Sequence, residues 1–363
     1  YETSKTNGIS HFLEHMFFKW GIKYPNPKSV AQAVENFGGE FNAYTGDEIA
    51  SYYVKCPPQH TSKALDVLSD MMLDSQFPQQ ELEREKWVVI QEIHMYQDRP
   101  QSVVYDKWKQ RYYGDNQFGW TILWPEQNIQ SFDREALFAH RDALYTSNNL
   151  ILVIAGKIVD QDRLEDEIAR LFAWLSTTST RDPVSYTPLL PDSAQASYNK
   201  NTHQNHLIIS APSIAYDKDN KKTIYAAKTL GTILGGNMSS RLFQHIREQE
   251  WLCYYIWSSH SASEHEWHFY LRAGMDKSKF DFWLQRTYEE IEKFVKKWFT
   301  DEEFTNAISY RVGKLQMGIE SSDELAEFIG VNYLLYGEIN DLQEMIDEYS
   351  ALTKDDLTPL LQY

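Results

Sequence analysis

His11, Glu14 and His15 fall within one short apolar stretch, ISHFLEHMFF (9–18). On an α-helix, residues i and i+4 lie one turn apart on the same face, so both imidazoles can reach one ion. The arrangement H-x-x-E-H is the inverted form of the H-E-x-x-H zinc motif. Imidazole nitrogens suit Zn²⁺, and a catalytic zinc keeps three protein ligands and a water. Glu14 is assigned to proton transfer, not to the metal. A carboxylate beside the water can take its proton and later deliver it to a leaving amine. One bound to the metal would have its lone pairs occupied. The third ligand must then be a carboxylate from elsewhere.

Another element has to bring that carboxylate to the first helix. ELEREKWVVIQEIHMYQ (81–97) reads as a helix with Glu85 and Glu92 two turns apart on one face, and Val88, Val89 and Ile90 between them. A carboxylate on the inner face of an apolar helix needs a partner, and a metal is a suitable one. Either glutamate meets that description. Glu81 and Glu83 read as solvated first-turn acids favoured by the helix dipole.

The surrounding elements follow a repeating order. Helices are expected over 8–19, 28–37, 60–73, 79–97 and 160–174, a β-hairpin over 40–56, and a buried strand over 149–158 (NLILVIAGKI). Residues 176–202 are rich in Ser, Thr and Pro and read as a connection. A strand at 206–212, helices at 219–234 and 238–249, a hairpin at 253–274 and helices at 278–297, 301–320 and 322–336 then follow. The expectation is an α+β protein of two similar domains, each a mostly antiparallel sheet covered by helices. These are residues 1–180 and 203–363, joined by a linker at 181–202. The first copy lacks an opening strand and the second a closing one, so the chain is expected to be trimmed at both ends.

Composition narrows the function. Lys and Arg number 35 against 52 Asp and Glu, a net charge of −17, which argues against a nucleic-acid partner. The two cysteines, Cys56 and Cys253, lie in different halves and imply no disulfide framework. No apolar run is long enough for a membrane span and no signal peptide is visible, so a cytoplasmic protein without a membrane partner is expected. His203 and His206 read as surface histidines. HEWH (265–268) is one residue short of H-E-x-x-H, lies in a hairpin, and is not read as a metal site.

NGISHFLEHMFFK (7–19), GGEFNAYTGDEIASYYVKC (38–56) and EREKWVVIQEI (83–93) together resemble the pitrilysin–insulysin metallopeptidases, or inverzincins. The half-length members related to mitochondrial processing peptidase are the most similar. The resemblance implies a half-clamshell metallopeptidase fold and a zinc endopeptidase acting on peptides or unfolded segments inside a chamber. It implies one Zn²⁺ per chain on His11, His15 and Glu92, with Glu14 as base and Glu85 as the second carboxylate supporting the site. Asn42 and Ala43 would meet the substrate on an edge strand. LGGNMSSRLFQHIREQEWLCYYI (234–256) resembles the family's second-domain stretch and implies that Arg247 and Tyr254 hold the substrate and polarise the scissile carbonyl. The chain carries both sets, so a homodimer is expected; a heterodimer with a related subunit is the other arrangement. A non-catalytic structural or assembly subunit of the same fold is the rival reading, but it predicts a broken H-x-x-E-H.

Trp20, Trp87, Trp124, Trp251 and Trp257 stand where the family pattern has Gly, and Trp298 stands where a helix-terminating Gly is expected. Glycine is scarce, 16 of 363, and adding the 11 Trp brings the total near the usual share of about 7%. The expectation is that many of these codons are UGA, read as glycine by the source organism and as tryptophan here.

Overall fold

The structure, a computed structural model, describes residues 1–122, 125–177, 195–262 and 267–362. It divides into two compact units. The first comprises Tyr1–Asp98, Tyr113–Ser185 and Glu320–Leu334; the second comprises Arg99–Tyr112, Tyr186–Ile319 and Leu335–Tyr363. One helix from each half of the chain thus groups with the unit formed mostly by the other half. The proposed linker at 181–202 falls mostly outside the described residues, as do Trp124 and the first two residues of HEWH, His265 and Glu266.

In chain order the N-terminal half runs α1 (Ile9–Phe17), α2 (Pro27–Glu35), β1 (Glu40–Thr45), β2 (Ala50–Lys55), α3 (Thr61–Leu73), α4 (Gln79–Gln97), α5 (Pro100–Tyr113), α6 (Glu126–Ser131), α7 (Arg134–Leu144) and α8 (Gln161–Phe172). The C-terminal half runs β3 (Gln204–Pro212), α9 (Lys221–Gly235), β4 (Tyr255–Ala262), β5 (Trp267–Asp276), α10 (Phe280–Lys297), α11 (Asp301–Met317), α12 (Ser322–Tyr336), α13 (Leu342–Ser350) and α14 (Lys354–Leu357). Short 3₁₀ turns and a π-helix connect them.

In the first unit β1 and β2 form an antiparallel hairpin, paired from Glu40↔Lys55 to Thr45↔Ala50. Helix α1 is apolar on its inner side: Ile9, Phe12, Leu13, Met16 and Phe17 pack with Leu82, Val89 and Ile93 of α4 in one core. This packing lays α1 along α4, and the polar residues of both inner faces then share one wall. The start of α1 is held by Glu2, whose carboxylate accepts the backbone N–H of Gly8 and of Ser10, each at 2.9 Å. Those are two of the donors a helix N-terminus leaves without intrahelical partners.

In the second unit three antiparallel strands lie in the order β3-β5-β4, with α9 against β4. A Cβ at Gly235 would sit 2.9 Å from the Ser258 backbone nitrogen, so only glycine allows this approach of helix to strand. The core of this unit gathers Leu230, Ile233 and Leu234 of α9, Ile256, Leu271, Ala273 and Met275 of the strands, and Trp283 of α10.

The small antiparallel sheets and surrounding helices match the α+β class. Three expectations change. The apolar run 149–158 forms no ladder among the described residues; Leu152 and Ile154 instead pack on Leu65 and Leu164 as a satellite core. A run of apolar residues alone does not supply the neighbouring backbone that makes a strand. The helix expected at 238–249 becomes a π-helix at Phe243–Gln249, whose end is closed by Glu250 N–H donating to the His245 carbonyl at 3.2 Å. His206 is only partly exposed: half-buried on β3, its Nδ1 lies 3.0 Å from the Tyr255 hydroxyl.

Candidate metal centre

Helices α1 and α4 together position the site. His11 and His15 face the same point from successive turns of α1, with their Nε2 atoms 3.3 Å apart. Glu92 of α4 brings Oε2 to 3.5 Å from His15 Nε2 and 3.8 Å from His11 Nε2. The three donor atoms lie within 4.8 Å of one another, the one such grouping of three among the described residues. Zn–N bonds of 2.0–2.1 Å at a tetrahedral angle place two nitrogen ligands roughly 3.3 Å apart. The His11–His15 spacing fits that geometry, and two imidazole nitrogens with one carboxylate oxygen form the donor set of a catalytic zinc site.

The electrostatics agree with a slot for a cation. Burial, with His15 adding to it, pushes the His11 pKa down to about 4. Burial also opposes charge on His15, but its contacts with the Glu85 and Glu92 carboxylates outweigh this and raise it to about 9. The His15 contact holds Glu92 below the usual carboxylate range. Only one positive charge is favoured between the two rings, beside an ionised Glu92.

Glu85 does not face the same point. It is 4% exposed, and its Oε1 lies 2.8 Å from His15 Nδ1 while its Oε2 lies 2.7 Å from Lys19 Nζ. A carboxylate on the second nitrogen of a ligating imidazole fixes its tautomer and ring orientation. Glu85 thus meets His15 at Nδ1, the nitrogen opposite the one that faces His11 and Glu92. Lys19, in the turn just beyond the end of α1, was not singled out from the sequence.

Glu14 lies on α1 facing β1. Burial raises its pKa above the ordinary carboxylate value. Its Oε2 accepts a hydrogen bond from the hydroxyl of Thr45, the last residue of β1. Tyr52 and Tyr145 are also nearby and bond each other, hydroxyl to hydroxyl, at 2.9 Å. Asn42 and Ala43 lie on β1, which carries a ladder on one side only among the described residues.

Arg247 and Tyr254 belong to the second unit. Arg247 sits in the π-helix, its guanidinium over the Phe243 ring at 4.4 Å, and its Nε donates to the Tyr254 carbonyl at 2.9 Å. Tyr254 is 55% exposed and its backbone N–H donates to the Gly274 carbonyl at 2.7 Å. The two residues are thus brought together, with the tyrosine ring projecting outward.

Comparison with known proteins locates this arrangement in a family. An uncharacterized zinc protease of Bacillus subtilis is 33% identical over 97% of this chain and 84% of its own length. An uncharacterized zinc protease of Rickettsia felis is likewise 33% identical, over 98% of this chain and 85% of its own. The mitochondrial-processing peptidase subunit beta of Dictyostelium discoideum is 36% identical over 48% of this chain and 37% of its own. A crystal structure of a protease from Helicobacter pylori shares the fold, with a TM-score of 0.88 at 21% identity over 99% of this chain and 87% of that one. Residues 1–126, which hold His11, Glu14, His15 and Glu92, match the model described as insulinase, peptidase family M16. Residues 131–310 match that described as the peptidase M16 inactive domain. The chain therefore belongs to the insulinase family of peptidases, family M16.

Proposed function

We propose that this protein is a zinc-dependent endopeptidase in which His11, His15 and Glu92 hold one zinc ion and Glu14 moves the proton. The observation that carries this reading is the convergence of those three donor atoms within 4.8 Å. The names of the relatives, zinc proteases, support the choice of metal and reaction.

When bound, zinc supplies the Lewis acidity that brings the pKa of a water from 15.7 to about 7. Glu14 accepts the proton of the attacking water and delivers it to the amide nitrogen as the C–N bond breaks. Burial raises the pKa of this half-buried carboxyl, the direction that suits a group which must both take and release a proton. Glu85 holds His15 by its Nδ1. The edge of β1 that carries no ladder among the described residues offers Asn42 and Ala43 to an extended peptide, which would add as a further strand. Arg247 and Tyr254 hold the substrate and polarise its carbonyl. The substrates are peptides or unfolded segments short of stable structure, since an added strand must be extended.

The mitochondrial relatives are named as subunits of an assembly. This chain has both the zinc set and the Arg247–Tyr254 pair, so we assign it a homodimer. Light scattering should give twice the chain mass. An active monomer, or activity only after a second polypeptide is added, would reject that assignment.

The main test is hydrolysis of a quenched fluorescent peptide by the wild type and by Glu14→Gln, with bound zinc measured in both. The expected result is retained zinc with turnover reduced by roughly 10²–10⁴-fold. Unchanged cleavage by Glu14→Gln would sink the mechanism, and a wild type that binds zinc but cleaves nothing would favour a structural subunit of the same fold.

A further inference from the structure

Glu14 makes one side-chain hydrogen bond among the described residues, and it comes from Thr45. The donor stands at the end of β1, where the strand closes through a turn with the Gly46 N–H on the Ile49 carbonyl at 2.7 Å. The strand is itself fixed against the helix end: the Phe41 ring lies 5.7 Å from that of Phe18, and Tyr52 of the paired strand lies 5.3 Å from Phe17. The hydroxyl is therefore delivered by a braced element. Threonine is also stiff at χ1, which limits where the hydroxyl can point.

We propose that Thr45 is the positioning residue of the proton-transferring glutamate: it holds Oε2 of Glu14 and leaves Oε1 to carry the proton. This rests on Glu14 being the base. The bond suits both states of the reaction. An ionised Glu14 accepts the hydroxyl proton at Oε2; after Oε1 takes a proton from water, Oε2 is the carbonyl oxygen and still accepts. The Thr45 proton is never transferred, so the carboxyl plane is fixed through the cycle. Without the hydroxyl the carboxyl can rotate, and either oxygen can face away from the water.

The test compares Thr45→Val, Thr45→Ala and Thr45→Ser in the full chain, with kcat, KM, zinc content and thermal midpoint measured for each. Val keeps the shape and removes the donor; Ser keeps the donor. Val and Ala should lower kcat by roughly 10- to 100-fold, the usual cost of losing such a supporting contact, with KM and zinc content unchanged. Ser should restore most of kcat. In a Glu14→Gln background, Thr45→Val should add no further loss. Wild-type kcat in Val or Ala beside an inactive Glu14→Gln would overturn the role of Thr45 alone. Loss of zinc in Val and Ala, or a Ser variant as slow as Ala, would assign Thr45 to the scaffold and likewise overturn it. Full activity of Glu14→Gln would instead remove the reading on which it rests.

Discussion

Glu85 Oε1 lies 2.8 Å from His15 Nδ1, on the side of the imidazole away from His11 and Glu92. The ring thus lies between two carboxylates, Glu85 at Nδ1 and Glu92 near Nε2. Glu85→Gln keeps a polar partner for His15 but removes the charge that Lys19 also engages. Zinc affinity should fall by roughly 10- to 100-fold, read as the chelator concentration that strips the metal. Affinity equal to wild type would show that His15 needs no such partner.

Glu92→Gln should differ in kind from Glu14→Gln. Loss of a ligand removes the metal, whereas loss of the base leaves it bound. Metal analysis of the two purified variants checks this: zinc should be absent from the first and near one per chain in the second. Equal content in the two would refute the division of roles.

Much of this centre was legible in the residues themselves. His11 and His15 are four apart, and a helix turns that number into a shared face. Glu85 and Glu92 were both legible as inward carboxylates, but spacing alone did not say which one meets the metal. Thr45 and Lys19 were not legible as partners, because each reaches its target through tertiary packing and not helical spacing; Glu2 caps α1 locally, but from outside the helix and without a helical spacing. Helix α5 was missed for a local reason. It opens on Pro100, only three residues after α4 ends, at the first helical position, where proline costs a helix least. The π-helix around Arg247 has no residue signature that separates it from an α-helix.

Trp251 and Trp298 have φ of 55° and 63°. Trp298 also has ψ of −166°, a region that is essentially glycine's alone. The Trp251 side chain is 76% exposed, so replacing it forfeits little burial, whereas Trp298, 43% exposed, gives up some burial that offsets part of the relieved strain. Trp251→Gly and Trp298→Gly should each stabilise the protein by about 1–3 kcal/mol, seen as a higher urea midpoint. Alanine at either position should not, since it retains a Cβ. The gene should carry UGA at these codons; UGG there would refute the glycine reading, as would a lower midpoint for the glycine variants.

His260 in the second unit should make stability fall in mild acid. Burial, and then the nearby Lys228, push its pKa down to about 4 from an ordinary 6.5. Between these values the unfolded chain binds the proton and the folded one does not. The contribution is whole above pH 6.5 and is lost as pH falls toward 4, by at most about 3 kcal/mol. His260→Phe should flatten the fall in urea midpoint between pH 7 and pH 5. An equal fall in wild type and variant would remove His260 as its source.

Two helices lie in the unit of the other half of the chain, and this bears on how the protein can be taken apart. Helix α5 is held in the second unit by Trp108, whose Nε1 donates to Ser210 at 2.7 Å and whose ring meets that of His268 edge to face, centroids 4.8 Å apart. Helix α12 is held in the first by Asp323 on Lys55 at 2.7 Å and by Glu327 accepting from the Tyr44 hydroxyl at 3.0 Å. Cleavage of the backbone within 178–194 would leave each fragment carrying a helix that completes the other fragment's fold. A nicked chain should stay together as one particle until denatured. Fragments produced separately should each lack a packed helix and aggregate, while fragments produced together should complement one another and regain zinc binding.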